Sequence, residues 1–141
     1  MKFIQLNHNW NKDPVEPPIS IEIDGAVLKL SFYMNTLLYQ GFDENDVGVL
    51  EFHNCFQYRL GKPNDEGFFI YGESRYARFG VKWGEFYLVQ DSDWETSFPE
   101  PIFVEKNLNV ETLNHYLFYF KDETFECIAE DFNFHVQKNV M

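Results

Sequence analysis

Residues 19–32 read Ile19-Ser20-Ile21-Glu22-Ile23-Asp24-Gly25-Ala26-Val27-Leu28-Lys29-Leu30-Ser31-Phe32, and this stretch decides the fold class. Ile19, Ile21 and Ile23 alternate with Ser20, Glu22 and Asp24, the period of two that turns one row of side chains to a core and the other to water. Leu28, Leu30 and Phe32 resume the alternation beyond Asp24-Gly25. Asp-Gly supplies the positive-φ positions of a type I′ turn, so the stretch predicts an antiparallel hairpin turning at Asp24 and Gly25.

The same signature recurs on both sides. Upstream, residues 7–18 hold three prolines and read as an extended loop after a short strand near residues 2–6. Downstream, residues 35–46 carry turn formers and predict a crossover to another part of the sheet. Residues 49–60 read as a longer strand, with Leu50, Phe52, Phe56, Tyr58 and Leu60 on one face and Glu51, His53, Cys55, Gln57 and Arg59 on the other. Asn54 interrupts the apolar row and marks a bulge or a hydrogen-bonded core amide. Residues 61–67 read as a loop, 68–71 and 85–90 as short strands, and 91–101 as a polar connection. A second hairpin is expected from residues 113–120 and 125–129. Pairing Phe120 with Phe125 there sets Phe118 opposite Cys127, Tyr116 opposite Ala129 and His115 opposite Glu130. Phe132, Phe134 and Val136 continue the alternation, and helix is expected only as a turn around residues 109–114. The chain therefore reads as mainly β: one domain over residues 1–141, an antiparallel β-sandwich or partly open barrel with little helix.

Composition agrees. Sixteen Phe, eight Tyr and three Trp among 141 residues make 19% aromatic, which supplies a substantial core and argues against disorder. The longest apolar run, residues 116–120, is five residues, against the roughly 20 that a spanning helix needs. The opening residues 1–7 lack a signal peptide's apolar core, which predicts a cytoplasmic protein.

The net charge of −12 is unevenly spread: −5 over residues 1–58, +2 over 59–82 and −9 over 83–141. Such a surface repels a phosphate backbone and an anionic membrane, so neither nucleic acid nor membrane is an expected partner. It attracts a basic protein and speeds association with one.

No Gly-x-Ser-x-Gly elbow, phosphate-binding loop or His-Glu-x-x-His motif occurs. Asp91-Ser92-Asp93 opens like a calcium loop, but Thr96 stands at the glycine position and Ile102 at that of the bidentate glutamate. No metal and no cofactor is expected. Cys55 and Cys127 read as buried thiols on strands. His53 beside Cys55 invites a nucleophile–base reading, but residues two apart on a strand have Cα atoms about 6.5–7 Å apart, beyond hydrogen-bond reach. Arg75 and Arg78, within the basic segment and interleaved with Tyr76 and Phe79, form a candidate anion or partner site, or else pair with the chain's own acids.

Tyr58–Glu66, Asp91-Ser92-Asp93-Trp94 and the stretch from His115 through Phe125-Glu126-Cys127 to Ala129 together resemble a family of small, chiefly bacterial proteins. Its pattern runs Pro-Asn-Asp-Glu, Asn-Ser-x-Trp and His-Asp-Ser-x-Phe-Glu-Cys. Lys121 replaces the histidine before Asp122, and residues 68–72 lack the Gly-His-Pro-Leu stretch of the first motif. The resemblance brings no activity with it. It does imply a polar constellation: Asn64, Asp65, Glu66, Trp94, Asp122, Glu126 and Cys127. Ordinary turn chemistry also accounts for Pro-Asn-Asp-Glu and for Asp122.

Two functions fit these residues. The first is a non-enzymatic acidic domain that binds a basic protein, in its most concrete form an immunity protein neutralising a toxin, with Asp91 and Asp93 in the contact. The alternative is a small-ligand-binding protein or enzyme whose polar pocket lies near Asn64–Glu66, Trp94 and Glu126.

Overall fold

The computed structural model describes residues 2–10, 12, 19–36, 39, 41–43, 46–61, 84–98, 100–119 and 124–138. Eight strands form one antiparallel sheet: β1 (Lys2–Gln5), β2 (Ser20–Asp24), β3 (Val27–Tyr33), β4 (Val47–Gly61), β5 (Phe86–Gln90), β6 (Ile102–Phe103), β7 (Asn114–Tyr119) and β8 (Thr124–Gln137). Their order is β1-β5-β7-β8-β4-β3-β2, with β6 paired to β4 off this path. Among the described residues the helical content is one turn, α1 (Trp94–Ser97), and a 3-10 turn at Val110–Thr112.

The sheet is rolled. In a flat sheet β3 and β7, three steps apart at about 4.8 Å each, would stand roughly 14 Å from one another. The Phe32 and Phe118 rings nevertheless lie 5.2 Å apart, edge to face. Curling carries the inward side chains of opposite strands into one interior, giving the partly open barrel with β1 and β2 as its ends. Leu28, Leu30, Leu50, Phe52, Phe86, Phe118 and Phe125 are fully buried there. Trp10 plugs the interior from the loop after β1, stacked on Phe134 at 4.1 Å and 4°. Asn7 holds that loop: its amide donates to the Trp10 carbonyl (2.7 Å) and to Glu85 Oε2 (2.6 Å), and its Oδ1 accepts from the Phe86 N–H (3.0 Å).

The first hairpin forms where expected, but its turn sits one residue later. Asp24 pairs with Val27, so Gly25 and Ala26 are the loop. Gly25 has φ +61° and Ala26 is not among the positive-φ residues, which is the type II′ pattern rather than I′. Residues 35–46 make no crossover, because β3 and β4 are direct neighbours.

β4 departs most from simple alternation. Asn54 has φ +48°, and the β4–β8 register shifts between Cys55 and Gln57, leaving Phe56 as the extra residue of a bulge. The two irregularities cancel. Leu50 and Phe52, then Cys55, then Tyr58 and Leu60 all pack into the one core. Cys55 therefore leaves the face of His53, and Phe56 leaves the core row assigned to it by strict alternation.

The second hairpin also forms, in a register two residues from the expected one. Phe118 pairs with Phe125, Tyr116 with Cys127 and His115 with Ile128. Moving the turn centre by one residue moves every cross-strand partner by two. Thr124, β-branched and buried, joins the strand instead of the loop. A shift of two keeps each side chain on its expected face.

Candidate functional site

The outer face of the β7–β8 hairpin is buried as well. Leu117 and Ile128 are fully buried there, and so are two polar residues, His115 and Glu126. Glu126 pairs with Leu117 and Ile128 with His115, so His115 and Glu126 are diagonal neighbours on one face. Side chains of this length meet across such a diagonal. His115 Nε2 lies 2.9 Å from Glu126 Oε1, and the Arg59 guanidinium lies 3.6 Å from Glu126 Oε2.

The third member comes from the end of β5. Val89 pairs with His115, and the ladder stops there. Asp91 takes φ +55°, a left-handed conformation that Asp tolerates better than most residues, and turns the chain out of the strand. Ser92 is thereby folded over the imidazole, with Oγ 2.6 Å from His115 Nδ1. The Trp94 N–H donates to the same Oγ at 3.2 Å.

Ring contacts fix this turn. Trp94 packs on Phe56 at 5.8 Å, and Phe56 on Phe103 at 5.8 Å, so the β4 bulge supplies the wall behind α1. Phe98 covers the His115 ring at 5.8 Å.

Where β5 and β7 diverge, a cleft of about 440 Å³ opens. Gln90, Asp91, Ser92 and Trp94 form one wall, and Asn114 and His115 the other. The protonation pattern follows from the partners. With the imidazole proton on Nε2 and donated to the Glu126 carboxylate beside Arg59, the Nδ1 lone pair is left to accept the Ser92 hydroxyl proton. The sequence Ser92 O–H to imidazole to carboxylate is the donor order of a nucleophile, a base and an orienting acid.

Of the residues singled out from the sequence, Asp91 and Trp94 line this cleft, and Glu126 stands behind it through His115. Asp93 precedes α1, exposed, its carbonyl accepting from the Thr96 N–H at 2.9 Å. Asn64, Asp65, Glu66, Arg75, Arg78 and Asp122, and the strand expected at residues 68–71, lie outside the described residues. Cys127 is not at the cleft: it is fully buried in the core with Cys55. Burial, and then the bond to Cys55, pushes its thiol well above the usual range, which disfavours a thiolate. His53 turns away from Cys55, with Nδ1 2.6 Å from Asp131 and Nε2 3.1 Å from Glu51.

Sequence reasoning missed Ser92 and His115 as a pair. The signal was present in Asp91-Ser92-Asp93-Trp94 and in the shared face of His115 and Glu126. The expected register, however, set His115 against Glu130, which instead accepts from the exposed Asn54 amide at 2.7 Å.

Among the described residues no group of three or more His, Cys, Asp or Glu is placed to hold a metal ion, and no helix is long and apolar enough to cross a membrane. No family model, no curated protein and no solved structure matches the chain.

Proposed function

We propose that the protein binds a small polar molecule in the cleft between the end of β5 and the start of β7. One observation carries this reading: the Ser92–His115–Glu126 relay opens on a cavity of about 440 Å³. That volume falls in the range of roughly 300–1,000 Å³ that small-molecule sites occupy. A buried histidine–carboxylate pair is also poor building material. Apolar residues of similar size stabilise such a layer as well or better, so the pair is better accounted for by what it does at the cleft.

Ligand-observed NMR against a panel of small polar metabolites tests the proposal. At least one chemical class binds the parent protein and not Gln90→Trp, which fills the cleft from an exposed strand position. Absence of any binder, or binders indifferent to Gln90→Trp, overturns it.

A second reading keeps the acidic surface as a protein-binding device. Asp91, Asp93 and Glu95 are all exposed on one short segment, which favours steering of a basic partner. Reversing the three to Lys then slows association with any basic protein co-purified at low salt. An unchanged rate removes this segment as the steering surface.

A further inference from the structure

We infer that Ser92 is a nucleophile and that the cleft cleaves uncharged or cationic carboxylic esters. This inference rests on the ligand-cleft reading and adds a reaction to it.

Four observations converge on Ser92. Its Oγ is 2.6 Å from His115 Nδ1, within reach for transfer of the hydroxyl proton. The opposite ring nitrogen is held at 2.9 Å by Glu126, whose carboxylate, 1% exposed, has Arg59 beside it. The tautomer that leaves Nδ1 free to accept is thereby selected. The backbone turns sharply into Ser92 through Asp91 at φ +55°, and local strain of this kind gathers at functional sites. Finally, Ser92 lies at the junction of a strand and a helical turn, half-buried in the wall of the cleft rather than under the sheet. That placement puts Ser92 and His115 at the cleft, while the Glu126 carboxylate behind them stays dry.

The reaction balances with water alone. Ser92 Oγ attacks the ester carbonyl carbon as its proton passes to His115 Nδ1. The tetrahedral adduct collapses, the ester C–O bond breaks, and the alcohol leaves with that proton. Water then attacks the acyl-serine, again giving its proton to Nδ1, and the acid departs as Ser92 regains its hydrogen. His115 is the base that moves the proton. Glu126 never meets substrate and is a positioning residue. Asp91 places its charge in the wall, which disfavours an anionic substrate and admits a cationic one.

The test uses the full chain, an alkyl phosphonofluoridate as covalent probe, and a neutral aryl acetate as substrate. The phosphonofluoridate adds its phosphonyl group to Ser92 with loss of hydrogen fluoride, read as one adduct by intact mass and placed by peptide mapping. Ser92→Ala takes no adduct and loses aryl-acetate turnover. Glu126→Gln retains aryl-acetate KM and loses kcat by about 10²–10⁴-fold, a split that a purely structural role would not produce. Near-UV circular dichroism checks that each variant is folded, and Ser92→Ala alone decides the matter if Glu126→Gln is not.

An adduct at another residue, or turnover that survives Ser92→Ala, overturns the nucleophile. Binders displaced by Gln90→Trp without any Ser92 adduct overturn the chemistry and leave the ligand cleft standing. Neither binders nor adduct overturns both.

Discussion

The two faces of the β7–β8 hairpin make opposite use of burial. On the inner face Phe118, Phe125 and Cys127 join a continuous aromatic cluster in which Phe52 alone meets Phe86, Tyr116, Phe125 and Phe132 within 6.4 Å. On the outer face equally buried positions hold His115 and Glu126. Inside, the stabilisation comes from dispersion and hydrophobic burial. Outside, a carboxylate is kept dry at a desolvation cost that only well-placed partners offset. The inner face therefore holds the barrel together, while the outer face holds one serine in one place.

That contrast breaks most readily at the core. Phe52→Ala should cost about 3–5 kcal/mol in a denaturant titration, since a fully buried ring leaves a cavity that four ring neighbours on three strands cannot close. Glu126→Ala comes next, at about 3 kcal/mol, because it removes the buried carboxylate that faces both Arg59 and His115. The double variant His115→Leu/Glu126→Leu should recover part of that loss. If it is no more stable than Glu126→Ala, the outer face is not the stability-for-position exchange described above. A fourth variant sharpens the inner side: Gly48→Ala places a Cβ 2.6 Å from the Met34 sulfur and 2.8 Å from the Phe32 ring, for about 1–3 kcal/mol.

The thiols separate the faces without mutation. Cys55 and Cys127, both fully buried, should react with an aqueous alkylating reagent slowly in the native state and fast after denaturation. Fast native labelling would show that the core opens.

The smallest effect belongs to the surface. The bond to Asp131, and then that to Glu51, raise the His53 pKa above its usual 6.5 against a lesser loss from burial. A raised folded value means stability fully present below 6.5 and lost as pH rises through the folded pKa. His53→Gln should remove that slope and little else, because the pair is largely solvated. A melting series from pH 5.5 to 8.5 reads it.

Much of the fold was legible because alternation survives a wrong register. The 19–32 hairpin and the strands β4 and β8 form where period-two patterning places them, the hairpin with its turn one residue later, and the 3-10 turn falls within the residues 109–114 expected to turn. The rolling of the sheet was legible only as one of two architectures, sandwich or partly open barrel, since strand pairing alone does not say which faces meet across an interior. The face of Cys55 was not legible: Asn54 marked a bulge or a core amide, but not the left-handed turn there nor the extra residue at Phe56 that together set it. At the cleft, Trp94 and Glu126 were legible as members of one polar constellation, and Asp91 separately as an acidic contact residue. The Ser92–His115 contact was not, because it joins a strand to a loop 23 residues away, and no local pattern encodes it.

The position of β8 has a consequence for synthesis. It lies between β7 and β4 and pairs along the whole of β4, yet it is the last strand in chain order. While the ribosome is still making residues 62–123, the β2–β3–β4 meander has one long edge of open backbone groups. Such an edge invites pairing with a second nascent chain until residues 124–137 arrive to seal it. Slow decoding of residues 62–123 should therefore lower the soluble yield far more than the same delay within residues 2–19.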